Sequence, residues 1–246
     1  MAPQAKERLF ELGNLVGSVA LMVAVFSLMG LAALPGGLLV VEVHARYGLV
    51  AALLSLPFGY AAFGVALCGL TVVVKRALGS LRPGDYPLVS IQGARWAVPA
   101  RLVDVCHRLF VHFFTGTPLV SLWFALLGAK VGRRAMINTL DLSDWDLLQI
   151  GDDAILGAGS VVIAHVAEQG RLRLAPVVIG AGATVGRDAI VLPGAKLGEG
   201  AVLGAQSLLA KGKAIPNAEV WVGAPAELAR RRGARRAAAY SVVRPA

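Results

Sequence analysis

The chain has 246 residues, of which 57% are hydrophobic, with a mean hydropathy of +0.68 and a net charge of +9. That is too apolar for an ordinary soluble domain and assigns part of the chain to lipid. The basic balance does not point to nucleic acid: it comes without zinc-finger spacing or interleaved aromatics. Instead it flanks apolar runs or sits in Arg230, Arg231, Arg232, Arg235 and Arg236. Anionic headgroups or control of membrane topology account for it better.

No charged residue occurs from Leu12 to Val41, nor from Tyr47 to Val74. Each run exceeds the roughly 20 residues that span about 30 Å of hydrocarbon as a helix. Pro35-Gly36-Gly37 predicts an early end to the first helix, giving spans near 14–34 and 49–74 with a linker at Glu42 to Arg46. A two-helix anchor over 1–78 follows. Lys6 and Arg8 precede it, and Lys75, Arg76 and Arg82 follow. This bias puts both ends of the anchor in the cytoplasm and the remainder of the chain at the cytoplasmic membrane. Cys68 and Cys106 have no CxxC partner and read as small buried hydrophobes.

Residues 79–126 read as a connector. Gly79, Pro83-Gly84 and Pro87 break its first part. Pro99 and Thr115-Gly116-Thr117-Pro118 interrupt the apolar stretch that follows. There Arg101, Asp104, Arg108 and His112 share one helix face, as in a helix lying in the membrane interface or packed on the next domain. His107 and His112 are read as surface or headgroup contacts.

From residue 150 aliphatic residues recur every six positions, at Ile150, Leu156 and Val162, then at Ile179, Val185, Val191, Leu197, Leu203 and Leu209. Glycine follows most of them. A small residue stands four positions on, at Ala154, Ser160, Ala183, Ala189, Ala195, Ala201 and Ser207. Neither a helix nor a half-buried strand has this period. It suits a coil whose sides are short strands joined by turns, with the aliphatic pointing to the axis and glycine allowing the corner conformation. Val131-Gly132 and Ile137 look like a degenerate start. Val162 and Ile179 are 17 residues apart, not a multiple of six, so a loop of about ten residues leaves the coil there. That loop carries His165.

These repeats, the single histidine-bearing loop and the closing Val220-Trp221-Val222-Gly223-Ala224-Pro225-Ala226 resemble the hexapeptide-repeat acyltransferases. The resemblance covers roughly 127–228 and implies a left-handed parallel β-helix of hexapeptide repeats, followed by a basic tail at 229–246. A further likeness is to the terminal region of poly-lysine-synthetase-like nonribosomal peptide synthetases, where membrane helix pairs alternate with β-helical domains. It is carried by Arg82-Pro83-Gly84-Asp85-Tyr86-Pro87-Leu88, Gly116-Thr117-Pro118-Leu119 and the run Leu126 to Arg134.

The resemblance implies a transferase using acyl-CoA or a carrier-bound acyl thioester as co-substrate, with no permanently bound cofactor. His165 takes the place of the family's general base, for which an imidazole is suited. Val166 stands where the family often has proline. Glu168 is either the residue that orients the imidazole or a surface residue. Lys211 and Lys213 occupy the family's donor-phosphate position, with a solvated basic loop as the alternative. Trp221 is a candidate cofactor cover, subunit contact or core residue. Ser160 and Ser207 fall at the small position of the hexad and read as packing rather than as nucleophiles. One histidine in the repeat region does not make a three-histidine metal site. The resemblance also implies a homotrimer, and the small residues Ala158, Gly159, Ala181, Gly182 and Ala205 are expected on the faces it would cover. A non-catalytic β-helical scaffold docking a synthetase or envelope enzyme is the alternative reading.

Overall fold

The computed structural model describes residues 3–231, with side chains over 15–229. The chain forms two compact units. One is the chain up to Gly79 together with Ala97–His112; the other is Ser80–Trp96 with everything from Phe113 onward. The expected basic tail lies, from residue 232 on, outside the described residues.

In the first unit, α1 (Pro3–Leu78) is helical throughout except at Gly48, whose φ of 82° and ψ of −177° reverse the chain. A Cβ on Gly36 would sit on the carbonyl oxygen of Gly59, so the two arms touch there. The expected stop at Pro35-Gly36-Gly37 is thus corrected. The helix runs through Pro35 and through the expected linker, where Arg46 pairs with Glu42 one turn back. A proline costs a helix one backbone bond and some bending, which a long apolar helix accommodates. Gly36 serves the close crossing and not a cap. Leu15–Leu78 is long and apolar enough to cross a membrane, with a mean hydropathy of 2.3, and only 6% of its most apolar window is buried.

α2 (Ile91–Leu109) corrects a second expectation, because it continues through a buried Pro99. Within the first unit Tyr60 bonds the Leu109 carbonyl, and the buried Cys106 lies 3.3 Å from the Thr71 hydroxyl. Burial lowers the His107 pKa to about 4, so its imidazole is neutral at physiological pH and offers headgroups no charge.

The second unit is a three-sided parallel coil. Its first turn carries β2 (Lys130–Val131), β3 (Met136–Ile137) and Leu142, which bridges to Val162. The supposed degenerate start is therefore a complete coil. β4 (Leu148–Ile150), β5 (Ile155–Leu156) and β6 (Val161–Val162) make the second turn. A hairpin, β7 (His165–Glu168) and β8 (Arg171–Leu174), then leaves the coil. β9 (Val177–Ile179), β10 (Thr184–Val185) and β11 (Ile190–Val191) form the third turn, and β12 (Lys196–Leu197), β13 (Val202–Leu203) and β14 (Leu208–Leu209) the fourth. β15 (Ala214–Ile215) and β16 (Glu219–Val222) begin a fifth, against which β17 (Glu227–Arg231) folds back antiparallel. The strands stack into three faces: β2-β4-β9-β12-β15, β3-β5-β10-β13-β16 and β6-β11-β14. Lys196 pairs with Ala214, so one turn takes 18 residues, three hexads.

The aliphatic of each hexad fills the axis. Ile179, Leu197, Leu203, Leu209 and Ile215 are all buried, and the small positions Ala154, Ala183, Ala189, Ala195 and Ala201 are sealed beneath the turns. Ser160 and Ser207 are buried in the same positions. The glycine after the aliphatic has a different reason from the one expected. A Cβ at Gly186 would stand 2.4 Å from the Ala205 nitrogen of the next coil, so stacking distance excludes any side chain. The left-handed corner residue comes two positions later, where Asp188 (φ 54°) and Gly182 (φ 62°) both serve.

Two further elements position the coil. α3 (Pro118–Leu126), whose N-cap is Thr117, lies against β2 and β3 and buries Phe124 over the open end of the first turn. The expected connector loop contains β1 (Gly84–Pro87), which adds to β8 as the third strand of the hairpin sheet. The expected face residues are also corrected: Ala158, Gly159, Ala181, Gly182 and Ala205 lie on corner turns. The outward positions of the second face are Met136, Ile155, Thr184, Val202 and Val220, of which Met136 and Ile155 are well exposed.

Candidate functional site

The hairpin leaves from the edge between the third and first faces. In the preceding turn the same edge is enlarged. Leu142 to Ile150 spans eight residues where a regular hexad spans six, and the surplus forms a short 3-10 helix, Trp145–Leu147. Asp144 opens that helix with φ 60° and ψ 46° and points its carboxylate inward, with 1% of the side chain exposed. Stacking of consecutive turns then brings Asp144 and His165 together although they are 21 residues apart.

Asp144 Oδ2 accepts from the Ala164 backbone N–H at 2.9 Å and lies 2.7 Å from His165 Nδ1. An acceptor oxygen at that position assigns the ring proton to Nδ1 and leaves the Nε2 lone pair free. The ring is 22% exposed, enough for an acceptor to reach it. Trp96 meets its flank edge-on, with centroids 4.9 Å apart and planes at 61°. Asp144 Oδ1 is buried with no bonding partner among the described residues. The imidazole is therefore held in one orientation and one tautomer, the condition for a general base.

The hairpin is fastened from outside the coil. Arg171 Nε donates to Asp85 Oδ1 at 2.8 Å, and Leu88 N–H donates to the Gly170 carbonyl. The Leu81 N–H donates to Asp146 Oδ2, in the same enlarged corner as Asp144. The Arg82 to Leu88 motif thus braces the histidine loop. Farther along the likeness, Arg133 and Arg134 pair with Asp152 and Asp153 on another edge. Such exposed pairs contribute little to stability, being screened by solvent.

Glu168 does not orient His165. It is exposed at the other end of β7 and takes Lys211 Nζ at 2.8 Å, and that ammonium holds its carboxyl below the ordinary range. This contact brings Lys211 to the histidine edge. Backbone bonds run down the same edge from Ala175 to Ala164, Gly194 to Ala175 and Gly212 to Pro193. Lys213 is exposed just beyond Lys211. Trp221 is elsewhere: it belongs to β16 on the second face, opposite that edge, and its indole N–H donates to Glu219. One chain therefore groups His165, Lys211 and Lys213 along one edge and leaves Trp221 apart from them.

Asp144, Trp96 and Asp85 were not singled out from sequence. Counting back one 18-residue turn from His165 leads to Leu147, three residues past Asp144, so only a coarse signal for Asp144 existed. None existed for Trp96.

A stacked three-sided coil with a hairpin leaving one edge defines a parallel β-helix. Residues 176–211 match the family described as bacterial transferase hexapeptide (six repeats). Residues 176–211 thus carry the hexapeptide repeat of bacterial transferases. The chain is 26% identical over 191 residues to delta-poly-L-ornithine synthetase of Acinetobacter baumannii (strain AB307-0294), covering 76% of this chain and 14% of that protein. It is 29% identical over 102 residues to the putative acetyltransferase YvoF of Bacillus subtilis (strain 168), covering 39% of this chain and 59% of that one. Among solved structures, a mutant perosamine N-acetyltransferase from Caulobacter crescentus, in complex with CoA and GDP-perosamine, is 25% identical, with 40% of each chain covered and a TM-score of 0.30. The chain thus spans about one seventh of the synthetase and under two thirds of YvoF.

Proposed function

We propose that the chain is a membrane-tethered acyltransferase that moves an acyl group, acetyl or aminoacyl, from a CoA or carrier-protein thioester to an amine or hydroxyl. The observation that carries this reading is the His165–Asp144 pair on a braced hairpin at the edge of a hexapeptide coil. In the reaction His165 Nε2 removes the acceptor's proton as its oxygen or nitrogen attacks the thioester carbon. The new C–O or C–N bond forms, the C–S bond breaks, and the imidazolium returns its proton to the departing thiolate. Asp144 holds the ring and offsets its transient charge. Lys211 and Lys213 are assigned to the donor's phosphates, with Lys211 exchanging Glu168 for phosphate when the donor binds. Trp221, away from that edge, is assigned to the donor site only as a residue brought there by assembly.

The tether is α1. Counted from Leu15, where the apolar span begins, its arms run about 50 and 45 Å at 1.5 Å per residue, more than the roughly 30 Å of a bilayer core. Leu38, Val50, Leu54 and Phe58 are each at least 66% exposed along it. So large an apolar surface calls for lipid. The basic flanks favour cytoplasmic ends and a β-helix on the cytoplasmic side.

The test uses the full chain in detergent with acetyl-CoA or an aminoacyl carrier thioester and a panel of amines and alcohols, with thiol release as the readout. Acceptor-dependent release from at least one donor is expected. No release from any donor, together with full complementation of a deletion by the His165→Ala protein, would establish the scaffold reading instead.

A homotrimer is part of the proposal. The outward column of Met136, Ile155, Thr184, Val202 and Val220 is apolar but for the Thr184 hydroxyl, and a threefold contact covers such a face. Light scattering in detergent is expected to give three chains per particle. An active monomer at micromolar concentration would refute the trimer.

A further inference from the structure

Within the first unit, the N-terminal arm of α1 and α2 enclose a groove of about 510 Å³. Its α1 wall is apolar and follows one helix face, with Leu21, Phe26 and Met29 along it. Its α2 wall is charged and carries Arg101, Asp104 and Arg108. Arg108 Nε lies 3.1 Å from both Asp104 oxygens, so that pair is internally balanced. Arg101, exposed beside them, leaves the wall with a net positive charge.

A groove that joins an aliphatic wall to a net cationic one fits an amphiphile with an anionic head. We propose that it holds one anionic phospholipid, the phosphate at Arg101 and Arg108 and an acyl chain along Leu21 to Met29. This rests on the membrane-tethered reading above. The dimensions agree with it. The groove's α1 wall runs from Ser18 to Met29, eleven steps or about 16 Å of helix, close to the roughly 15 Å of one leaflet's hydrocarbon. That stretch begins ten residues beyond Arg8 of the basic N-terminal flank, on the side of the membrane the flank faces. The apolar wall selects a membrane phospholipid over a soluble phosphate, which would leave Leu21, Phe26 and Met29 uncovered. Arg108 has a choice of partners, the Asp104 carboxylate or the lipid phosphate.

The experiment is native mass spectrometry of the full chain in detergent with equal phosphatidylglycerol and phosphatidylcholine. One retained phosphatidylglycerol per chain is expected, preferred about fivefold for the charge of one unneutralised arginine near a headgroup. The preference should vanish in the exposed double substitution Arg101→Gln with Arg108→Gln. Filling the groove by Leu21→Trp should reduce retention of both lipids and leave thiol release unchanged. Equal retention of the two lipids, or a preference that survives the double substitution, overturns the proposal. So does displacement of the lipid by millimolar glycerol 3-phosphate, which would mark a site for soluble phosphate. Flotation with vesicles in high salt separates the two readings. A chain that does not float removes the tether and this proposal together, whereas one that floats without lipid preference removes the groove alone.

Discussion

His165→Ala is expected to lower acyl transfer by roughly 10²- to 10⁴-fold, the usual contribution of a positioned general base. The substitution should leave the coil intact. His165 lies on a hairpin outside the stacked hexads and is part-exposed, and the aliphatic column it follows does not depend on it. Circular dichroism and the thermal midpoint check that point. Single-turnover kinetics should show the loss in the chemical step, with donor binding unchanged, because the imidazole acts on the acceptor's proton. A loss below about threefold, far outside the range for a general base, would mean that the proton leaves by another route or that transfer is not this chain's chemistry.

How far the sequence could be read differs between the two halves of the site. The coil was legible because each hexad repeats the same local constraint: an aliphatic for the axis, a glycine where the next turn approaches and a small residue beneath the corner. The place where the chain leaves the coil followed from the one point at which the period fails, between Val162 and Ile179. The enlarged corner at Asp144 was not legible, since five residues from Ile137 to Leu142 and eight from Leu142 to Ile150 hide the period. The bracing of the hairpin was not legible either. Strand β1 joins β8 across some 86 residues, by backbone bonds and an Asp85–Arg171 pair that leave no local pattern. In the apolar half the signal was one of composition. It found two apolar arms but ended the first too early, at residue 34, and misplaced the reversal, because Pro35 reads as a breaker in water while the helix continues to Gly48, the residue able to hold φ near 82° without strain.

Asp144 acts through His165, and that makes a sharper prediction than its distance to the ring alone. Asp144→Asn keeps an acceptor oxygen for the Ala164 N–H and for Nδ1 but removes the charge facing the imidazolium. Transfer should fall by between about 10-fold and the full 10²–10⁴ of the base itself, with stability changed little. Asp144→Ala should differ in kind. It strands the buried Ala164 N–H and the Nδ1 proton, at roughly 1–3 kcal/mol for each unsatisfied group, so it should unfold earlier as well as react slowly. The decisive measurement is the double variant. If Asp144 only positions and charges the ring, His165→Ala with Asp144→Asn should be no slower than His165→Ala alone, since groups that act as a unit are not additive. A further tenfold loss in the double variant would show that Asp144 works independently of the histidine, through the substrate or through the fold. Its second oxygen, Oδ1, is buried and without a bonding partner among the described residues. Buried there, it does not meet the acceptor, so a positioning carboxylate predicts that Asp144→Asn lowers kcat and leaves the acceptor's KM where it was.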